Sequence, residues 1–320
     1  MNILAELQKK INEEGISLEE KEKRLLDFEI AYLELREEEN NKWYSKLSVE
    51  QRKKLHSLIL LIYKIKNRLG GFTYNVINDK HIESNKPIIY AVTHIGKFDI
   101  EVVSEVLNHY YLLSGDFEHL QGIIDAYFLG INGVLYFNEK DKKDRINVRN
   151  EMIKILKKGG NLLYFPEGTW NLTPNLPVLP LYSGIIDIAR ASNAIIVPIA
   201  VEQYGKKFEI NIGNNFDINS YGDNLDEKKQ AINDLRDIFA TLKWEIWELK
   251  SVSRDEISES EWEEYIKARL SEWPYFTEYY IKDLIYKPKD VILNEEVYEL
   301  IRKLIPKKEN AFLFDKRIKG

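Results

Sequence analysis

The sequence has no cysteine and only two methionines among its 320 residues. The absence of cysteine excludes disulfide bonds, thiolate metal sites and a cysteine nucleophile. Long apolar runs are also missing, since the longest, at residues 58–63, is far shorter than the roughly 20 residues that cross a bilayer. The first ten residues lack the basic start and apolar run of a signal peptide, so we expect a cytoplasmic protein.

The charge is acidic overall and unevenly distributed. The net charge of −6 argues against nucleic-acid binding. Residues 1–40 carry six Lys/Arg and twelve Asp/Glu, whereas residues 41–70 carry eight Lys/Arg and one acid, Glu50. The segment 48–69 has Ser48 as a cap and apolar residues at helical spacing, which predicts a helix. Two interpretations of this basic helix stay open: contact with anionic lipid on the inner face of a membrane, or packing on the core.

Short apolar runs alternate with helical patterns in the middle of the chain, whereas both ends are helical in pattern. The predicted strands lie at 72–77, 87–93, 110–113, 133–137, 161–165, 195–201 and 208–212. The predicted helices after residue 70 lie at 98–108, 145–158, 182–192, 225–250, 256–270 and 294–304. This alternation predicts an α/β fold with a mostly parallel or mixed central sheet flanked by helices. We expect a helical N-terminal region at 1–70, a core at 71–220 and a helical C-terminal region at 221–320.

Two of the predicted strands are followed by residues that suit acid–base chemistry. His94 emerges at the carboxyl end of strand 87–93, and Asp99 follows where a helix should begin. A turn through Gly96 can bring the carboxylate onto the imidazole, where it would orient the ring and stabilise its protonated form. Glu167 and Gly168 follow strand 161–165 in the same way. Each pattern alone is weak. A hydrogen-bonded histidine at a strand end is the better explanation of the first pattern taken by itself, and an ordinary turn with a solvated glutamate also explains the second.

Together the motifs resemble those of the glycerolipid acyltransferases, the family that includes the 1-acylglycerol-3-phosphate acyltransferases. His94-x4-Asp99 resembles the first motif of the family, and Phe-Pro-Glu-Gly-Thr at 165–169 resembles the third. Residues 133–137 resemble the second motif, and residues 196–199 the fourth. The resemblance implies direct acyl transfer from acyl-CoA or acyl carrier protein to a hydroxyl, without another cofactor or a covalent enzyme intermediate. His94 would be the general base and Asp99 would orient it.

The resemblance also implies a set of residues that contact substrate. We expect this role for Gly96, Lys97, Glu167, Gly168, Thr169, Trp170, Lys140 and Arg145. Backbone N–H groups near Gly96 or Gly168 would stabilise the oxyanion. Glu167 would bind the acceptor or hold the site together. No spacing typical of a metal site is present among the five histidines.

The sequence departs from the family at the basic residues thought to hold the phosphate of the acceptor. Trp170 and Glu139 stand where arginine is usual, and Ser183 stands where lysine is frequent. Two explanations are open. The basic cluster at 140–145 binds the phosphate instead, or the acceptor carries no phosphate monoester. In the second case it is a lipid-like or glycosylated molecule, such as a glycolipid or a sugar, or else an amine or a modified peptide. Trp170 would then offer a flat apolar surface to the acceptor or simply pack against its loop.

Two other classes of function compete with this interpretation. One is a non-catalytic module of the same fold that binds lipids or a membrane surface, although the intact motif residues argue against it. The other is a serine hydrolase that uses His94 and Asp99, but the sequence has no G-x-S-x-G nucleophile elbow. The basic residues at 48–69 would suit an acidic acyl carrier protein as well as lipid.

Overall fold

A computed structural model describes residues 3–107, 110–114, 117, 124–138, 141–172, 176–249 and 259–272. The N-terminal region contains helices α1 (Ile3–Ile11), α2 (Leu18–Asn41) and α3 (Val49–Gly70), with a short 3-10 turn at Trp43–Lys46. The predicted cap of α3 is present: the Ser48 hydroxyl accepts from the Gln51 N–H, and the Gln51 side chain accepts from the Ser48 N–H. Gly71, at φ +75°, ends the helix.

All seven predicted strands occur, with small changes at their ends, and they form one mixed sheet. The strands are β1 (Thr73–Asp79), β2 (Ile88–Val92), β3 (Tyr110–Ser114), β4 (Val134–Tyr136), β5 (Asn161–Tyr164), β6 (Ile195–Tyr204) and β7 (Lys207–Ile212). Their order across the sheet is β1-β7-β6-β2-β5-β3-β4. Strands β6, β2, β5, β3 and β4 run parallel, whereas the tight turn at Gly205 makes β7 antiparallel to β6. The α/β fold class with a mixed sheet is therefore confirmed.

The remaining helices differ from the predicted ones mainly in length. They are α4 (Asp99–Ser104), α5 (Ile124–Asn132), α6 (Lys142–Lys157), α7 (Gly184–Ser192), α8 (Leu225–Glu248) and α9 (Glu259–Ser271). The predicted helix at 98–108 is too long, since α4 ends at Ser104. Helix α5 was not predicted, because its largely apolar sequence has no charged face to mark a helical period. The predicted helix at 294–304 lies outside the described residues.

Apolar side chains cover both faces of the sheet. In β2, Ile89 and Ala91 point to the face covered by α6, α7 and α8, whereas Tyr90 and Val92 point to the face covered by α3, α4 and α5. This alternation is the period-two pattern of a strand buried on both sides. None of the helices within the described ranges has the length and apolar composition needed to cross a membrane.

Candidate active site

His94 stands where strand β2 leaves the sheet. The Thr93 N–H still donates to the Ile199 carbonyl, and the Thr93 hydroxyl accepts from the Val201 N–H, so the chain is anchored to β6 up to this residue. Strand β5 is the other neighbour of β2 and runs parallel to it. Residues that follow β2 and β5 therefore meet at the same edge of the sheet, which is where α/β proteins place their sites.

The His94–Asp99 pair is held by a tight turn. His94 Nδ1 lies 3.0 Å from Asp99 Oδ2, and the same oxygen accepts from the N–H groups of Ile95 at 2.6 Å and Gly96 at 3.0 Å. Asp99 is fully buried, and its second oxygen, Oδ1, has no hydrogen-bond partner. Three donors thus converge on one carboxylate oxygen, which fixes the turn and the orientation of the imidazole.

Glu167 joins the two motif loops by a hydrogen bond to the backbone of His94. Its Oε1 accepts from the His94 N–H at 3.0 Å, and its Oε2 accepts from the Leu179 N–H at 2.7 Å. Burial raises the pKa of this carboxyl to about 6, although the two N–H groups and the charges of Lys243 and His94 favour ionisation. Both carboxylate oxygens accept hydrogen bonds from backbone N–H groups, so the side chain stabilises the loop that carries His94.

Aromatic rings enclose the imidazole. The His94 ring stacks on Phe165, with centroids 4.1 Å apart, and meets the edge of Trp170 at 5.8 Å. With Nδ1 directed to Asp99, Nε2 is the ring nitrogen left to meet a ligand, and the side chain retains 13% exposure. The His94 carbonyl accepts from the Asn171 N–H at 2.6 Å. The sequence interpretation missed this contribution of Asn171, which follows the third motif directly.

Three other residues predicted to contact substrate, Gly168, Thr169 and Lys97, have different surroundings in the structure. Gly168 has φ +71°, and a Cβ there would lie 2.4 Å from the Tyr182 ring, so only glycine fits without adjustment. The Thr169 hydroxyl oxygen is buried without a partner, and Lys97 Nζ lies 5.1 Å from the Phe98 ring centroid.

The N–H groups of Gly96 and Gly168 themselves donate to Asp99 and to the Phe165 carbonyl, so the predicted oxyanion donor near these glycines stays a prediction for a neighbouring N–H group.

Of the two residues predicted to bind phosphate, Arg145 belongs to a helix that does not follow β2 or β5, and Lys140 lies outside the described ranges. Arg145 is exposed in the first turn of α6, which follows β4, two strands away from β5. Lys140, like Glu139, falls outside the described residues. Trp170 is only 6% exposed and packs with Leu172 and Leu270. This agrees with the expectation that its ring packs against its own loop. A contact between Trp170 and an acceptor stays a prediction.

Helix α9 also reaches the site, which no sequence pattern indicated. Leu270 packs on Trp170, and Glu272 Oε1 lies 3.4 Å from Gln203 Nε2 beside the Gly96 turn. Burial, and then the charge of Asp99, raise the pKa of Glu272, whereas Arg269, Gln203 and Lys97 oppose that rise. Within the described residues, no group of three histidine or acidic side chains has the geometry of a metal site.

Comparison with known proteins places residues 73–202 within the family model described as Acyltransferase. The chain is 22% identical over 140 residues to the 1-acyl-sn-glycerol-3-phosphate acyltransferase of Saccharomyces cerevisiae, covering 43% of this chain and 46% of the relative. It is 24% identical over 123 residues to a chloroplastic 1-acyl-sn-glycerol-3-phosphate acyltransferase of Brassica napus, covering 38% of this chain and 35% of the relative. The chain thus spans about half or less of the length of these relatives.

A solved structure is also similar, the 1-acyl-sn-glycerophosphate acyltransferase PlsC of Thermotoga maritima, at 18% identity and a TM-score of 0.47. The alignment covers 62% of this chain and 82% of that protein. The segment matched by the family model runs from the start of β1 into β6 and contains both motif loops. Residues 73–202 thus match the Acyltransferase family model, and the chain resembles 1-acyl-sn-glycerol-3-phosphate acyltransferases over part of its length.

Proposed function

We propose that the chain is an acyltransferase that moves a fatty acyl group from a thioester to a hydroxyl of a lipid-like acceptor. The observation that carries the proposal is the His94–Asp99 pair at the carboxyl edge of the sheet, with one carboxylate oxygen held by the imidazole and two backbone N–H groups. The donor is acyl-CoA or acyl carrier protein, as the resemblance to the family implies.

In this mechanism His94 Nε2 takes the proton of the acceptor hydroxyl as its oxygen attacks the thioester carbonyl. Asp99 stays ionised and stabilises the imidazolium that forms. The tetrahedral intermediate collapses by breaking the C–S bond, and the departing thiolate takes the proton back from His94. The products are the acylated acceptor and a free thiol, and the enzyme returns to its starting state.

The oxyanion of the intermediate needs a donor that is not already engaged. The Thr169 hydroxyl oxygen has no hydrogen-bond partner, but it is buried and therefore does not face the acceptor in this arrangement. We therefore assign the oxyanion to another backbone N–H beside Gly96 or Gly168 in the two motif loops, since the N–H groups of these two glycines are engaged. Glu167 is assigned to holding the site together, because both its oxygens bind backbone donors.

The acceptor is proposed to be lipid-like or glycosylated and to lack a phosphate monoester. Arginine is absent at positions 139 and 170, where the family usually has it, and Arg145 follows β4, which is three strands from β2 in the sheet. Arginine suits phosphate because its planar guanidinium offers a fork of donors. The acidic and aromatic residues at these two positions cannot replace that fork.

Helix α3 supports a peripheral location on the inner face of a membrane. One face exposes a continuous apolar stripe, formed by Leu58, Leu61, Ile65 and Leu69. Exposed basic residues lie at and beside this stripe, namely Lys54, Lys64 and Arg68. Such a face suits insertion among anionic lipids.

Two of the basic residues in this helix do not contribute to the membrane-facing surface. Arg52 is buried and donates to the carbonyls of Tyr44, Gly130 and Ile131. Lys66 pairs with Glu101 at 2.8 Å and with Asp125 at 2.7 Å. One side of the helix therefore packs on the core, and the membrane proposal concerns only the other side.

A transfer assay tests the function. Purified full-length protein receives labelled acyl-CoA or acyl carrier protein and three acceptors: lysophosphatidate, a monoacylglycerol and a monoglycosyl lipid. We expect a labelled ester on an acceptor without phosphate, formed only with an intact His94. Binding of the lipids without any transfer would instead support a non-catalytic lipid-binding module, and efficient acylation of lysophosphatidate would refute the proposed acceptor class.

A further inference from the structure

Helix α9 contacts the loop of the third motif but is held there by little apolar surface. Of its side chains within the described residues, only those of Arg269 and Leu270 are buried. Leu270 and the half-buried Ile266 pack with Trp170 and Leu172 in a small cluster, which is separate from the two large clusters on the faces of the sheet. A helix that buries so little apolar surface is weakly stabilised in its position.

The polar groups where α9 meets the core are poorly satisfied. The atoms Arg269 Nε and Nη1, Glu272 Oε2 and Gln203 Oε1 are all buried, and none of them has a hydrogen-bond partner among the described residues. Each of these groups loses its hydrogen bonds to water without gaining another, which is costly. Four such atoms at one contact therefore favour a state in which the helix moves away and water reaches them.

The charges at this contact act in the same direction. Burial and, with it, the nearby charge of Asp99 raise the pKa of Glu272, whereas the Arg269 guanidinium, whose Nη2 lies 3.2 Å from Glu272 Oε1, lowers it. The ionised form of Glu272 is therefore less stable against the core than in water. Moving α9 outward relieves this cost together with that of the unpaired atoms.

The residues that α9 covers belong to the candidate active site. Trp170, on which Leu270 packs, meets the edge of the His94 ring at 5.8 Å, and the side chain of His94 is only 13% exposed. Atoms of Gln203 and Glu272 lie within 4 Å of the position that a Cβ of Gly96 would take, so this side of the turn is closed to a ligand. A lipid and a thioester that both reach His94 need more room than this arrangement gives.

We propose that α9 is a lid, which covers His94 in the closed position seen in the structure and opens to admit the substrates. Its purpose rests on the proposed acyl transfer, whereas its movement does not depend on that activity. Opening separates Leu270 from Trp170 and exposes the unpaired polar atoms to water. Closing after the substrates bind would keep water away from the thioester.

Chemical modification of His94 tests the lid without any substrate. Diethyl pyrocarbonate modifies accessible imidazoles, and mass spectrometry of peptides from the full-length protein distinguishes His94 from His81. The side chain of His81 is 29% exposed and serves as the internal standard. Leu270→Ala removes the main apolar anchor of α9, so His94 should react about tenfold faster or more, which is the effect of a buried leucine side chain on the opening equilibrium. The rate at His81 should stay unchanged.

The variant Glu272→Gln should have the opposite effect. Its amide oxygen still accepts from Arg269 and Gln203 Nε2, and its new NH₂ group can donate to Gln203 Oε1, so the two amides form a reciprocal pair. The substitution also removes the repulsion by Asp99. Because the closed position gains a hydrogen bond, His94 should react about fivefold more slowly than in the wild type.

The matched control is Leu242→Ala. Leu242 is as buried as Leu270 but packs in another cluster, with Ile246 and Trp247. This control should lower the Tm more than Leu270→Ala does, because α9 opens before the protein unfolds, and it should leave the rate at His94 unchanged. Equal acceleration by both leucine variants would show that the rate follows global stability and would refute the lid. Unchanged rates in Leu270→Ala and Glu272→Gln would refute it as well.

The transfer assay separates the lid from the proposed function. The expected modification rates in a protein that transfers no acyl group to any acceptor would uphold the lid and refute the enzymatic activity. Acyl transfer by a protein whose His94 reacts at the same rate in all variants would overturn the lid and leave the activity standing.

Discussion

Replacing Asp99 by alanine should destabilise the motif loop, because the backbone depends on this side chain. Asp99 Oδ2 is the acceptor for the N–H groups of Ile95 and Gly96, and both residues are buried. Each buried N–H left without an acceptor costs about 1–3 kcal/mol, so Asp99→Ala should lower the free energy of unfolding by about 2–6 kcal/mol. The lower end is expected, since the change also removes a buried carboxylate whose Oδ1 has no partner.

The substitution Asp99→Asn should separate the structural role of this side chain from its catalytic role. Its amide oxygen can replace Oδ2 and keep all three hydrogen bonds, while its NH₂ group takes the place of the unpaired Oδ1. The free energy of unfolding should change by only about 1 kcal/mol. The negative charge that stabilises the His94 imidazolium is lost, however, so the transfer rate should fall by about 10² to 10⁴.

Urea unfolding and acyl-transfer kinetics on the two variants check this reasoning. We expect Asp99→Asn to fold nearly as stably as the wild type and to be almost inactive, whereas Asp99→Ala should be both unstable and inactive. An Asp99→Asn protein that retains wild-type kcat would show that the carboxylate charge has no catalytic role. Equal destabilisation by the two substitutions would show that the hydrogen bonds to Ile95 and Gly96 are not what holds the loop.

Three further outcomes follow from the same geometry. Because burial raises the pKa of Glu167 from 4.5 to about 6, the stability linked to this group is full below pH 4.5 and is lost as the pH rises through 6. Urea unfolding at pH 4.5 and 7.5 should show about 2 kcal/mol of this loss, and Glu167→Gln should lack it. Gly168→Ala should lower the free energy of unfolding by about 1–2 kcal/mol because of its positive φ, and by a further amount because the added Cβ meets a tyrosine ring. Gly205→Ala has a positive φ but nothing within 4 Å of the added Cβ, so it should show only the loss due to φ. Leu61→Glu should weaken binding to anionic vesicles about tenfold in a sedimentation assay, whereas Leu249→Glu, equally exposed elsewhere, should leave binding unchanged.

The strands and the main acid–base pair could be predicted because their signals are local. Each buried strand is a short apolar run between turn residues, and His94 and Asp99 are separated by a single turn. Parallel neighbours then bring Glu167 to the same edge, which follows from the α/β pattern. Helix α5 was not predicted because an almost wholly apolar helix has no alternation of apolar and polar residues at helical spacing.

The parts of the site that could not be predicted depend on contacts between distant residues. Glu272 approaches Gly96 across more than half of the chain, and the sequence offers no pattern that pairs them. The burial of Arg52 was also hidden, because a basic residue on a helix is usually solvated and this one binds three carbonyl groups. In both cases the deciding contacts come from tertiary packing.

The most direct test of the central claim is the rate of acyl transfer in His94→Ala, with His81→Ala as the control. His81 contacts Asp79 at a distant strand end, so its loss removes a comparable histidine–aspartate contact without touching the motif loops. With labelled thioester and a hydroxyl acceptor, His94→Ala should lose at least about 10²-fold in transfer rate while keeping its fold, and His81→Ala should retain the wild-type rate. A His94→Ala protein that transfers acyl groups as fast as the wild type would contradict the assignment of the catalytic base.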